Sequence, residues 1–175
     1  MKDGTILGIG MNHKLYTRTN LGASWVMAPD LGQVKGVTIM TDGTILGIGM
    51  SGKLYTRANL NSRWVKAPDF GKVKVITIMK DGTILGVGMN DKFYTRDDLT
   101  VNWAKAPDVG GQVKGVAIMG DGTILGVGMN GKLSTRANLN VKWVMAPDVG
   151  QRKVKAITIM EDGTILGVGI NNKLY

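Results

Sequence analysis

Three kinds of side chain recur together in this sequence and have the chemistry to bind a ligand. A tyrosine is followed two residues later by an arginine, and the arginine two residues later by an asparagine or aspartate. An aromatic face beside guanidinium, amide and carboxylate groups suits a sugar ring and its hydroxyls. The candidate sugar-binding residues are Tyr16, Tyr55, Tyr94, Arg18, Arg57, Arg96, Arg136, Asn20, Asn59, Asp98 and Asn138.

Catalytic and metal-binding sets are not apparent. The single histidine, His13, is not repeated and there is no cysteine, so no Ser-His-Asp or Cys-His arrangement recurs. "GVGMNG" is not followed by a helix that would present a phosphate site. A calcium loop needs several carboxylates within a dozen residues, so the "DG" aspartates are expected in turns. We therefore expect no enzyme activity, no cofactor and no metal; the "APD" aspartates are expected to be loop residues or local caps (Asp30, Asp69, Asp108 and Asp148).

Basic residues repeat as well, and the net charge is +9. In a closed ring each set would become a circle of like charge. Solubilising charge on edge strands is one explanation; recognition of anionic glycans or lipopolysaccharide is another. Aromatic residues make up only 6%, which leaves few platforms for stacking bases and disfavours nucleic acid. The repeated lysines are Lys14, Lys53, Lys92, Lys132 and Lys173, with Lys35, Lys74, Lys114 and Lys155 in a second set.

The elements that position these residues are set by an internal repeat. The stretch "DGTILG" begins at Asp3, Asp42, Asp81, Asp121 and Asp162, at intervals of 39, 39, 40 and 41 residues. Such a period indicates a repeat architecture. We expect one domain over 1–175, with units at 3–41, 42–80, 81–120 and 121–161 and a partial unit at 162–175.

Each unit contains four short apolar runs separated by turn residues. In the second unit, "VKGVTIM" (34–40) leads through "DG" to "TILGIGM" (44–50), then "KLYTR" (53–57), and a polar loop leads to "RWVKAP" (63–68). Four strands in about 40 residues are typical of a β-propeller blade. The fold class is therefore predicted to be all-β, a propeller of four-stranded blades.

Glycines alternate with large residues in the second run. Gly47 and Gly49 share one face, and an inner strand of a propeller is buried on both faces. We expect a bulky group of the next blade to approach this strip, either the tryptophan of the fourth run or the methionine that ends the first run.

The ends of the sequence leave two ways to form the ring. In a four-bladed ring, 3–16 and 162–175 would compete for one slot, and such near-identical segments invite strand exchange between chains and a homo-oligomer. In a five-bladed ring, the first blade lacks its inner strand and the last lacks its outer strand. Five blades are preferred because no buried strand is wasted, and four blades are the alternative.

Hydropathy gives no sign of membrane insertion. Apolar residues make up 43% without a run of 18 or more, and "MKDGTILGIG" lacks the apolar stretch of a signal peptide. The expected location is the cytoplasm, or the extracellular space for a mature form; the sequence does not decide between them.

The segment "VGMNDKFYTRDDLTVNWAKAPDVG" (87–110) resembles the tachylectin/tectonin group of β-propeller lectins. The shared pattern is Gly-Val, an Asn/Asp turn, Lys-φ-Tyr, a polar loop and Asn-Trp, and it covers all repeats. The resemblance implies a multivalent, non-enzymatic lectin that binds glycans, such as microbial surface glycans, at repeated inter-blade or loop sites. It favours five blades. The alternative is a designed or consensus-like propeller, or a protein-interaction scaffold, without sugar specificity.

Overall fold

The computed structural model describes residues 1, 3–29, 32–68, 71–108, 110–147 and 153–175 as an all-β chain. Within these ranges there are 17 strands and no helix. Accordingly, no helix of the described chain is long and apolar enough to cross a bilayer. Asp30, Asp69 and Asp148 of the "APD" set lie outside the described residues.

The strands form five antiparallel sheets in chain order, β1–β3, β4–β7, β8–β11, β12–β15 and β16–β17, each running from the inside of the ring outward. The strands are β1 Ile6–Ile9, β2 Leu15–Arg18, β3 Val26–Met27, β4 Val34–Ile39, β5 Ile45–Gly49, β6 Leu54–Arg57, β7 Val65–Lys66, β8 Val73–Ile78, β9 Ile84–Gly88, β10 Phe93–Arg96, β11 Ala104–Lys105, β12 Val113–Ile118, β13 Ile124–Gly128, β14 Leu133–Arg136, β15 Val144–Met145, β16 Val154–Ile159 and β17 Ile165–Gly169.

The prediction of an all-β propeller with four-stranded blades is confirmed. Four sheets carry an outer strand and form four blades, so the preference for five blades is wrong and the alternative of four is confirmed. The preferred fifth blade is present only as its inner half, because β16 pairs with β17 and only a single bridge joins Val168 to Leu174. As expected for the ends, the first sheet has no described strand on the inner side of β1.

The "DG" turns have the predicted geometry. Their glycines adopt φ between 79° and 92°, the left-handed region that glycine occupies without a steric penalty. Each aspartate accepts a hydrogen bond from the amide two residues on, at 2.8–3.0 Å, as Asp81 does from Thr83. That amide bond is the main reason why the pKa of Asp81 lies below its ordinary value. These contacts confirm the turn role.

The core lies between neighbouring sheets. All residues of β5 and β9 are buried, so both faces of these second strands are covered. Leu46, Ile48 and Leu54 of one sheet pack with Val73 and Ile76 of the next. Apolar contact between consecutive blades therefore holds the ring together.

Tryptophan rings lie on the glycine strip, but they come from the same sheet. A Cβ added to Gly86 would lie 2.8 Å from Cη2 of Trp103, which follows β10 and precedes β11. The expectation that a tryptophan fills this space is confirmed, whereas its expected origin in the next blade is wrong. The polar loop between the third and fourth strands folds back and returns the ring to its own sheet.

Candidate functional site

The four repeated arginines lie inside the blades rather than on the surface. Their exposed fractions are only 2–9%, and each guanidinium stacks on the tryptophan of its own sheet, with 4.5–5.1 Å between Cζ and the ring centroid. Burial lowers the pKa of Arg57, Arg96 and Arg136, but a guanidinium stays protonated at neutral pH. The stacked pairs are Arg18–Trp25, Arg57–Trp64, Arg96–Trp103 and Arg136–Trp143.

Three of the four arginines hydrogen-bond the polar loop that precedes their tryptophan, whereas Nε and Nη2 of Arg136 have no hydrogen-bond partner among the described residues and its guanidinium lies on Phe93 and Trp143. Arg96 Nε donates to the backbone oxygen of Asp98 at 2.7 Å, and Arg57 Nε donates to that of Asn59 at 2.9 Å. Arg18 Nη1 reaches the oxygen of Leu21 at 3.1 Å. A charge-assisted bond from a rigid, buried donor fixes the loop backbone. We predicted that these arginines contact a sugar, but their burial assigns them to positioning the loop.

The asparagine or aspartate at each loop makes a tight turn. The Oδ1 of Asn20, Asn59 and Asn138 accepts the amide two residues on at 2.9 Å, and Asp98 does so at 2.6 Å. These four residues are exposed. Because Oδ1 is used in the turn, Nδ2 is the remaining hydrogen-bonding group of each asparagine, and that of Asn20 lies 3.4 Å from Oγ1 of Thr19. The structure thus joins the arginine to its predicted loop residue in the second and third blades, and to Leu21 of the same loop in the first.

Two further asparagines of the loops were missed from the sequence. The backbone amides of Asn61 and Asn140 donate to Oδ1 of Asn59 and Asn138, and the side chains of Asn61 and Asn140 are exposed. The sequence signal is the pair of asparagines spaced by two in "ANLN", at 58–61 and 137–140. Two carboxamides on one turn can bond neighbouring hydroxyls of a ligand.

The third loop differs from the others in charge. The hydroxyl and the amide of Thr100 both donate to Asp98, and the hydroxyl bond is the main reason why the pKa of this carboxyl is lowered. Asp97 adds a second exposed carboxylate. This loop therefore presents negative charge at neutral pH and favours neutral over anionic ligands.

The tyrosines lie near the start of β2, β6 and β10, whereas the polar loops follow the ends of these strands. The hydroxyl of Tyr16 accepts from Asn12, and that of Tyr94 from Asn90, at 2.9 and 3.0 Å. The ring of Tyr55 lies against Gly49, where an added Cβ would be 2.6 Å from Cε2. Each tyrosine lies two residues before the arginine that ends its strand, or about 7 Å from the strand end at roughly 3.3 Å per residue. That tyrosines and loop residues contact one sugar stays a prediction.

A shallow recess lies between the third and fourth blades. It has a cavity volume of about 10 Å³ and is lined by Phe93, Lys92, Asp108 and Arg136 among others. Lys92 pairs with Asp108, and this contact is the main reason why the pKa of the Asp108 carboxyl is lowered. Space of this size holds about one water molecule, so a sugar ring does not fit into the recess as it stands.

A larger cavity of about 330 Å³ lies beside the inner side of the first sheet. Its lining includes Ile6 and Leu7 of β1, Val37 of β4, and Ile159 and Leu166 of the last sheet. The space is next to the edge of β1 that has no described inner partner. Strand exchange into this edge stays a prediction.

No cluster of three or more potential metal ligands occurs among the residues that the structure describes. The repeated lysines of the inner strands are not uniformly open to solvent, since Lys74 pairs with Asp91 and Lys35 donates to the backbone oxygen of Met50 at 3.5 Å.

Comparison with known proteins identifies one family over the whole length. The family model described as "Tectonin domain" matches residues 1–175. No curated protein sequence matches the chain.

Solved structures share the fold at low sequence identity. A structure described as "YCF48 bound to D1 peptide" is 14% identical with a TM-score of 0.57, and covers 96% of this chain and 58% of that one. A putative gluconolactonase is 10% identical with a TM-score of 0.64, over 90% of this chain and 64% of that one. The extracellular domain of a putative hybrid two-component system from B. thetaiotaomicron is 11% identical with a TM-score of 0.59, over 99% and 26%. The chain thus spans less than two thirds of the length of each of these structures.

Proposed function

Since the chain belongs to the Tectonin domain family, we propose that it is a multivalent, non-enzymatic glycan-binding protein. The observation that carries this proposal is the recurrence, in four blades, of an exposed Asx-type turn beside a buried arginine, which bonds the loop backbone in the first three blades. Fixed backbone and exposed side-chain amides form a preorganised polar surface, which lowers the ordering cost of binding. The arginine and tryptophan support this surface from below.

The four loops lie at one end of the propeller, together with the "DG" turns, because the third strand of every blade runs towards them. Each loop is shallow and well solvated, so a single site binds a sugar weakly. A surface that displays many copies of one sugar engages several loops, and the later contacts become intramolecular. The proposed target is therefore a polyvalent glycan, such as a microbial or mucosal surface, rather than a small ligand.

Binding to a glycan panel, with two kinds of competition, tests the proposal. We expect binding to at least one immobilised glycan, release of the protein by the free sugar at high concentration, and little effect of added salt. If added salt abolished binding to all glycans equally, the binding would be non-specific and electrostatic, because salt screens exposed charges beyond about 8–10 Å. A panel without any bound glycan would contradict the proposal.

The second candidate is a protein-interaction scaffold without sugar specificity. The observation that favours it is the propeller structure of YCF48 with a bound D1 peptide, which this chain resembles in fold. In this case the panel stays negative, and a peptide binds in place of a sugar.

A further inference from the structure

We propose that the end of the propeller opposite the polar loops is a contact surface for anionic lipid bilayers. The turns that follow β1, β5, β9, β13 and β17 lie at this end, and each exposes one large apolar side chain. We call these five residues the turn rim. They are Met11, Met50, Met89, Met129 and Ile170, with exposed fractions of 84%, 47%, 60%, 56% and 63%.

Backbone hydrogen bonds join three of the turns to the inner strand of the next sheet. The backbone amide of Val34 donates to the backbone oxygen of His13 at 2.9 Å, and that of Val73 donates to the backbone oxygen of Gly52 at 2.9 Å. Each bond connects the turn of one sheet with the first residue of the next inner strand. The side chain of Asn172 lies 3.9 Å from the sulfur of Met11, which places the last turn beside the first.

Lysines flank the rim from two directions. Lys35, Lys74 and Lys155 occupy a register shift at the start of β4, β8 and β16, where an extra residue in a bulge re-aims a side chain. Lys35 reaches Met50, Lys74 reaches Asp91 and Lys155 reaches Asn172, all in the turn of the same sheet.

Two further lysines, Lys72 and Lys153, directly precede β8 and β16 and approach the turns of the preceding sheet. A Cβ added to Gly52 would lie 3.2 Å from Cβ of Lys72, and one added to Gly131 would lie 2.9 Å from Cβ of Lys153. Flexible apolar tips surrounded by ammonium groups fit an interface with acyl chains below and phosphate or carboxylate groups above.

The arrangement favours a bilayer over a protein partner. The apolar side chains are single tips, one per sheet, rather than one contiguous patch, which protein interfaces usually require. A planar lipid surface meets all of the tips at once, and anionic headgroups complement the lysines. Only side-chain tips enter the interface, a limited exception to the expectation that nothing inserts into a membrane.

Vesicle co-sedimentation tests this proposal. With vesicles of phosphatidylcholine containing about one third phosphatidylserine, we expect binding at low salt that weakens in pure phosphatidylcholine and at high salt. Serine at all five rim positions should lower the partition coefficient on the order of 100-fold. Glutamine at Lys35 and Lys155 should lower it by about 5-fold for each lysine, whereas K74Q should have a smaller effect because Lys74 already pairs with the Asp91 carboxylate.

Exposed methionines elsewhere provide the matched control. Met27 and Met145, on outer strands, are 48% and 65% exposed, and M27S/M145S should bind vesicles like the wild type. Alanine at the four loop residues should also leave vesicle binding intact, which separates this proposal from the glycan proposal. The proposal is overturned if the wild type ignores anionic vesicles at low salt, or if the rim variant still binds them. It is equally overturned if the control loses as much binding as the rim variant.

Discussion

Alanine at Gly86 lowers the stability of the propeller by about 3 kcal/mol. The added Cβ would lie 2.8 Å from Cη2 and 3.0 Å from Cζ3 of Trp103, and 3.0 Å from Cγ1 of Val73. The indole cannot retreat freely, because the Arg96 guanidinium stacks on it at 5.1 Å. At roughly 2–4 °C per kcal/mol for a chain of this size, the thermal midpoint should fall by about 6–12 °C.

Gly120 provides a control of the same chemistry. A Cβ added there meets nothing within 4 Å and the residue has no positive φ, so G120A should leave the midpoint unchanged or slightly raised. Combining G86A with W103L should cost less than the sum of the single changes, because the smaller side chain relieves the clash. An unchanged midpoint for G86A would refute the packing of the tryptophan on the glycine strip.

Alanine at Asn20, Asn59, Asp98 and Asn138 together should weaken binding to a dense glycan surface by ~10²–10⁴, the range that avidity can add. The change removes the Oδ1 acceptor of each turn as well as the Nδ2 donors of the asparagines. Surface plasmon resonance on one glycan identified by the panel measures the loss. Thermal melting should show a smaller change, since the four residues are exposed.

A conservative variant separates loop geometry from ligand contact. Aspartate at Asn20, Asn59 and Asn138 keeps the Oδ1 acceptor of the turn but removes the Nδ2 donors. If those donors contact the sugar, this variant should lose binding while melting like the wild type. Binding that survives the four alanine substitutions would place the glycan elsewhere on the propeller.

The repeat predicted the fold well because its main signals are local. The "DG" turns need positive φ at their glycines, and alternating apolar runs define which strands pair. The fourth run was predicted over 63–68, yet β7 spans only Val65–Lys66. Trp64 turns back onto Gly47 and Pro68 cannot donate to a strand ladder, so pairing is confined to two residues.

The candidate site was predicted only in part, because its assembly depends on contacts across strands. Asn59 lies exposed in its turn as expected. Arg57 has the sequence character of a surface residue, and its burial follows from Trp64, seven positions away, folding over it. The position of Tyr55 follows from the direction of its strand, which spacing along the sequence does not reveal.

The most direct test of the account is the binding of the wild-type chain to one glycan at high and at low surface density. Multivalent recognition predicts weak, rapidly reversible binding at low density and an apparent affinity higher by ~10²–10⁴ at high density, since several loops at one end then engage together. Equal affinity at both densities would show a single site and contradict multivalent recognition. Failure to bind at either density, for every glycan of the panel, would contradict glycan recognition itself.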